Sequence, residues 1–445
     1  MLISGIISCH EEEDISMASS LLLEFSADTV EFDTLLTSRN SITKRFRIFN
    51  TNNKAIRISE IALGRGTSSP YQLTVNGKNG KGITDEVVMG GDSLLVLVTV
   101  TIDPSDESTP FLVKDSIITR WNGNQADIKL VSWGQNANYL EGPVLCDETW
   151  TSEKPYVLIK DVLVDSLCTL TIEKGTKIYL DNGIRMLVQG SLIVEGDSGQ
   201  HVIFRNSRFD ENYIEAPGQW DGIYFLEGSR SEISYATVEN ARVGLRIGTP
   251  DNDTIPDLTV RNTIIRHMSE TAVQAFTSDV YFENCLLYNA GESLVFHAAG
   301  GNYYYDHCTL VNTPNFFFQD VSSFVFADNI VLSNNETLVE DLTVRVRNSI
   351  LWDEGEQEIL FSVTEESNSQ LAFSRNIIYG FSGLTGNTVS SEKNFPGFAD
   401  PNLFEYRLDS LSPAIDAGIP GISDLDLEGH PRDALPDIGA FERIR

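Results

Sequence analysis

The chain has 445 residues, 41% of them hydrophobic and 22% charged, with 64 acidic against 32 basic side chains and a formal net charge of −32. This length predicts two or three domains. The charge excludes nucleic acid and anionic membrane surfaces as partners, and it opposes a polyanionic substrate unless calcium bridges the two.

The first segment, Met1 to Cys9, is apolar, and Ile6-Ile7-Ser8-Cys9 fits a bacterial lipobox, in which the cysteine is lipidated after cleavage. The basic stretch that normally opens such a segment is missing. The run His10-Glu-Glu-Glu-Asp14 resembles the surface-export signal of lipoproteins in Bacteroidetes-type bacteria. Residues 1–20 are therefore expected to be a signal remnant and tether. The protein is expected at the bacterial outer membrane or cell surface, held through Cys9. No other segment reaches the roughly 18 apolar residues of a membrane span.

Residues 21–138 carry short alternating runs, among them Thr43–Phe49, Ala55–Ile61, Ser93–Thr101 and Ala126–Val131, separated by turn clusters such as Asn76–Gly82 and Asn122–Asn124. Such a run of short strands predicts an immunoglobulin-like β-sandwich. It resembles the spacer modules of bacterial surface proteins. Gly134–Gly142 reads as a linker.

Residues 139–395 contain a repeat. Six segments superpose: Asn262–His267, Asn284–Asn289, His307–Asn312, Asn329–Asn334, Asn348–Asp353 and Asn376–Gly380. Their first positions are 22, 23, 22, 19 and 28 residues apart. A period this short, rich in β-branched residues and asparagine, is a solenoid whose unit cannot bury a core alone. Two residues before the first position the side chains are mostly apolar (Val260, Phe282, Tyr305, Ala327, Val346), and one residue before they are charged (Arg261, Glu283, Asp306, Asp328, Arg347). Strand alternation points the first column inward and the second outward. Three residues after the first position another inward apolar column follows, so the chain bends near that position. Asn289, Asn312 and Asn334, with His267 and Asp353, then form an inward polar ladder that Asn240 extends upstream.

On these columns, and on Leu170–Tyr179, Val188–Val194, Val202–Arg205 and Gln219–Tyr224, the chain resembles the single-stranded right-handed parallel β-helix proteins of the pectate-lyase-like fold. The expected fold is all-β: a sandwich, a right-handed parallel β-helix, and an irregular C-terminal cap over residues 396–445. Ser412–Gly418, Asp424–Arg432 and Asp437–Glu442 resemble the choice-of-anchor Q module that ends secreted bacterial β-helices. That module is expected to cover the open end of the solenoid. Asp416, Asp424, Asp426, Arg432 and Asp437 read as a salt-bridged knot, with calcium at Asp424, Asp426 and Asp437 as the alternative. No other cofactor is expected.

Cys285 and Cys308 share one repeat position on adjacent coils and read as a buried thiol ladder, with a disulfide as the alternative. Cys146 and Cys168 carry no expectation from their spacing.

Lyases of this fold need an arginine or lysine base and a group that neutralises the substrate carboxylate. From Ile178 to Glu392 there is no lysine, and the polygalacturonase motifs are missing. The expectation is a monomeric binding or display module for a polysaccharide or cell-surface glycan, using the outward column Glu239, Arg266, Tyr288 and Trp352. The bland reading of that column is a solvated β face. A polysaccharide lyase or glycoside hydrolase of atypical type, with Arg266 and His297 as catalytic residues near Asp279 and Glu283, is the second expectation. An inert surface stalk is the third.

Overall fold

In a computed structural model the protein is described over residues 14–248, 255–312, 321–353, 359–379, 384, 386–390, 396–421 and 423–444. Cys9 and the aromatic run Phe316–Phe318 lie outside the described residues. The chain divides into two compact units, Met1–Ala137 and Asn138–Arg445.

The first unit is a two-sheet sandwich. One sheet orders Ile15–Ser16, Ala55–Leu63, Phe111–Trp121, Asn124–Gln135 and Thr29–Leu36, with Gly82–Val88 also on Ala55–Leu63. The other orders Glu24–Phe25, Lys44–Phe49, Ser93–Val100, Tyr71–Val75 and Lys78–Gly80. Alternation is strict in Ser93–Val100, where Leu94, Val96, Val98 and Val100 are buried. They pack with Phe46, Ile48, Ile58, Tyr71 and Ile117 from both sheets into one core.

The second unit is a parallel β-helix. Its first sheet has eleven strands, running from Asn138–Glu141 through Ala236–Glu239, Ile264–Met268, Leu286–Ala290, Thr309–Asn312 and Ile350–Asp353 to Thr388–Ser390. Two further faces are joined by the long strands Thr271–Glu283 and Ser293–Asp306. The second face includes Gly222–Phe225, Val243–Ile247 and the first halves of the long strands. The third includes Leu258–Arg261, the second halves, Leu342–Arg347 and Gln370–Ser374. Thr277 and Ala299, in left-handed conformation, mark the bend between the halves.

The repeat columns have a conformational cause as well as a packing one. Tyr235, Asn262, Asn284, His307, Asn348 and Arg375 all adopt positive φ at the corner between the third face and the first sheet. Asn240, His267 and Asn289 do the same at the opposite end of the first-sheet strand. Asparagine tolerates this region better than other residues with a Cβ, so it recurs where the chain must turn. The ladder bonds are partly those expected: Asn289 Nδ2 meets His267 Nδ1 at 2.7 Å, and Asn312 bonds both the N–H and the carbonyl of Ala290. Inside, Val260, Phe282, Tyr305, Val346 and Phe373 line up as one buried column, with the rings of Phe282 and Tyr305 stacked at 5.0 Å. Truncating Phe282 to alanine there would cost about 3–5 kcal/mol.

Three sequence expectations are corrected. Asn329–Asn334 is not a coil: Thr309–Asn312 pairs directly with Ile350–Asp353, and Asn329–Val331 pairs antiparallel with Thr337–Val339 in a hairpin. Val331 and Leu332 are exposed, so this segment shares the repeat's composition without its burial. The last segment starts at Arg375 rather than Asn376, since Ser374 pairs with Arg347 and Ile378 with Leu351. The C-terminal segment does not plug an open end; it belongs to the second unit and runs back along its flank.

That strap is fastened by the corner residues. Asn348 Nδ2 donates to the Ile419 carbonyl at 3.0 Å, Asn284 Nδ2 to that of Leu425 at 2.8 Å, and Asn262 Nδ2 to that of Asp426 at 2.9 Å. Its direction is therefore opposite to coil order. Where the chain returns, Gly439 has φ 105° and donates to the Asn348 carbonyl, and a Cβ there would stand 2.7 Å from Thr309 Oγ1. Only glycine meets both conditions. Beneath the strap, Leu286, Tyr288, Val311, Ile350, Trp352 and Ile377 pack with Tyr406, Leu408, Leu427, Ile438 and Phe441 in a second core.

Cys146 and Cys168 form a disulfide, and Cys285 and Cys308 are free and buried.

Candidate functional site

The outward column expected on the first sheet exists as a register. Glu239 pairs with Arg266, Arg266 with Tyr288, Tyr288 with Val311 and Val311 with Trp352. Its exposure does not match the expectation. Tyr288 and Trp352 are 3% and 1% exposed. The ring of Tyr288 is covered by Phe404 at 5.3 Å and Tyr406 at 5.1 Å. Neither ring is open to a sugar, so the glycan-binding assignment of this column is corrected. Arg266 is committed as well: its Nε donates to Glu239 at 2.8 Å and its Nη1 to the Tyr288 hydroxyl at 2.8 Å. Glu239 is itself buried and also faces Arg205 at 3.4 Å. These groups hold one another, and the Tyr288 ring packs against the strap.

His297 is corrected too. It points into the core, with no exposure, stacked on Tyr303 at 4.0 Å and bonded through Nε2 to the Tyr305 hydroxyl at 2.7 Å. Burial pushes its pKa down to about 3. Asp279 and Glu283 lie on the third face, bonded to Asn302 and Arg261 respectively. The structure therefore does not bring Arg266, His297, Asp279 and Glu283 together.

In the strap, Asp426 is unexposed and accepts from the N–H groups of Glu428, His430 and Glu442. Asp437 accepts from the N–H groups of Asp416 and Arg443. Arg432, nearly buried, pairs with Glu442 at 3.2 Å and donates to Asn284 Oδ1 at 2.8 Å. Asp424 is exposed and takes no part in this set through its side chain. Asp426, Glu428 and His430 have ligand-type atoms within 4.8 Å of one another, but the Glu428 carboxylate is paired with Arg407. The arrangement is a backbone-capping knot.

An open depression lies elsewhere, on the third face. Its outward columns run Thr259, Tyr281, Tyr304, Arg345, Ala372 and, two residues on, Arg261, Glu283, Asp306, Arg347, Ser374. Arginine gives way to alanine and serine at the last step, so the lateral surface drops. The resulting cavity of about 300 Å³ is lined by Tyr281, Tyr304, Asp306, Arg345 and Arg347 among others. That size suits a small ligand or one unit of a longer one. The rings of Tyr281 and Tyr304 stand 6.5 Å apart, and the Arg345 guanidinium lies 5.5 Å over Tyr304. Burial pushes the Tyr281 phenol far above its ordinary pKa. Burial also acts upward on Asp306, but His307 and Arg347 beside it hold its carboxyl below the usual range. The hydrogen bond to Asp306 raises Arg347 in turn.

The signal for this site was legible in the sequence. It lies three residues before each corner, in the column Thr259, Tyr281, Tyr304, Arg345 and Ala372, which strand alternation puts outward like the charged column two residues on.

No curated protein matches the chain. Among solved structures, a PapD-like domain of human CEP192 aligns at 9% identity over 31% of this chain and 96% of its own, with a TM-score of 0.18. The YadV chaperone aligns at 10% over 26% and 51%, TM-score 0.18, and a family 123 glycoside hydrolase from Clostridium perfringens at 8% over 29% and 30%, TM-score 0.19. Likenesses this small carry no functional argument. Residues 157–313 match the family described as the right handed beta helix region, and with the parallel sheets around them they make the second unit a right-handed parallel β-helix.

Proposed function

We propose that the protein is a surface-displayed binding module that holds a glycan in the third-face depression at Tyr281, Tyr304 and Arg345. What carries this reading is the conjunction of two half-buried tyrosines and an exposed guanidinium around a cavity of about 300 Å³. Aromatic faces with a few polar groups at their edges are the chemistry of sugar recognition. In this reading the lipid at Cys9 anchors the chain to the bacterial outer surface.

The polysaccharide lyase reading has one point in its favour: acidic and basic side chains do converge on neighbouring coils here. Their protonation behaviour favours binding instead. A catalytic base works best with a pKa near the working pH. The Tyr281 phenol is shifted upward and the Asp306 carboxyl downward, so both move away from neutrality. The test is retention on a panel of plant, host and algal polysaccharides, with product release followed in parallel. Retention lost in Tyr304→Ala, without oligosaccharide release, is the expected result. No retention by any member removes the glycan reading, and oligosaccharide release replaces it with an enzyme.

A further inference from the structure

The hydrogen-bonding inventory of the depression is one-sided. Among the described residues the Tyr281 hydroxyl has no partner, but it is closed off from solvent and offers a ligand no donor. Arg345 is exposed and, among the described residues, pairs with no carboxylate; it lies only over the Tyr304 ring. Among the described lining residues the one acid is Asp306, which is paired with Arg347, accepts from Asn348 at 3.3 Å and has His307 Nδ1 3.0 Å away. Its neighbour in the same column, Glu283, is held by Arg261 at 3.3 Å. A guanidinium offers donors and no acceptor. The site thus presents an unpaired guanidinium beside acids that are already paired, which suits a ligand group that accepts strongly and carries negative charge.

The chain's net charge of −32 acts against this only at long range. At physiological ionic strength charges are screened beyond about 8 Å, so the guanidinium in direct contact decides. Arg345 also supplies the positive charge itself, which removes the need for a bridging calcium ion.

Resting on the reading that the depression holds a glycan, we infer that the unit bound there bears an anionic substituent, a carboxylate or a sulfate ester, that accepts from Arg345 without calcium. The experiment measures binding of the full chain, in EDTA, to polygalacturonate and alginate (carboxylate), to heparin and dextran sulfate (sulfate), and to dextran and mannan (neutral). Arg345→Gln and Arg246→Gln are compared with the unaltered protein. Arg246 is likewise an exposed guanidinium, on Val243–Ile247 over Tyr224 at 5.2 Å, and its loss changes net charge by the same amount.

The expected result is binding of one anionic class in EDTA, weakened about tenfold or more by Arg345→Gln and unchanged by Arg246→Gln. The carboxylate and sulfate arms then tell which group is recognised. Equal weakening by both variants shows a general charge effect and overturns the assignment. Binding of neutral polymers unaffected by Arg345→Gln overturns the anionic inference and leaves the glycan reading standing. Anionic binding that appears only with added calcium also overturns it, and silence across the panel overturns both.

Discussion

Asn284 Nδ2 donates to the carbonyl of Leu425, 141 residues further along the chain, at 2.8 Å. The same asparagine holds φ at 50° and accepts from Arg432 through Oδ1. One residue therefore turns the coil and fastens the strap. Replacing it separates the two duties. Asn284→Gly keeps the turn and loses the bonds, costing about 1–3 kcal/mol because Arg432 and the Leu425 carbonyl lose a partner. Asn284→Ala loses both, adding roughly 1–2 kcal/mol for a left-handed residue with a Cβ. Denaturant unfolding of the two variants checks this, and equal midpoints would remove the conformational half of the account.

Removing residues 396–445 uncovers Leu286, Tyr288, Val311, Ile350, Trp352 and Ile377 on one flank. A contiguous apolar surface of this kind binds dyes and self-associates. The truncated protein is expected to bind anilinonaphthalene sulfonate and to scatter light at concentrations where the full chain does neither.

Tyr281→Phe separates stability from binding. The hydroxyl it removes is buried without a partner, so folding stability should stay level or rise by up to about 1 kcal/mol. Affinity for the ligand of the depression should stay level, because the hydroxyl has no accessible surface to offer it. A stability loss above that range would mean that the hydroxyl is bonded in the folded protein.

Acid should destabilise the β-helix through its interior histidines. Burial, with the Arg266 charge added for His267, pushes His267 and His297 each down to about 3. An unfolded histidine titrates near 6.5. Above that value both states are neutral and nothing is lost. As pH falls from 6.5 toward 3 the unfolded chain takes up protons that the folded one refuses, at about 1.4 kcal/mol per pH unit for each histidine. His297→Gln should lower the slope of unfolding free energy against pH by about one proton between pH 6 and 4.

The Cys146–Cys168 bond closes a loop of 22 residues near the start of the helix. Opening it should lower stability by about 3 kcal/mol on the chain-entropy account. Urea unfolding with and without reductant, followed by near-ultraviolet signals of the second unit, measures the difference.

The fold was legible because a solenoid writes its geometry once per coil. Val260, Phe282, Tyr305 and Val346 announced an inward column, and Asn262, Asn284 and Asn348 announced a corner. Asn329 misled, because the hairpin that begins there copies the repeat's residue types at nearly the right spacing, and composition alone does not reveal burial. Tyr288 and Trp352 misled for a different reason. Their register is outward, but Tyr288 is covered by Phe404 and Tyr406 and Trp352 lies in the same buried core as Phe441, residues far away in sequence and outside any periodic pattern. The depression at Tyr281, Tyr304 and Arg345 was within reach of alternation, yet the drop in surface at Ala372 and Ser374 emerges only when the coils are stacked.

A stack of coils in which each touches only its neighbours can fray from either end, one step at a time. The strap changes that expectation for this protein. Because it is tied in turn to Asn348, Asn284 and Asn262, the last coils cannot peel away while those earlier corners still grip it. Loss of the terminal turn and loss of the middle of the array become a single event. The region should therefore melt as one cooperative block, with amide hydrogens of the strands Ile264–Met268, Leu286–Ala290, Thr309–Asn312, Ile350–Asp353 and Ile377–Tyr379 exchanging at similar rates rather than in a gradient toward the C-terminus.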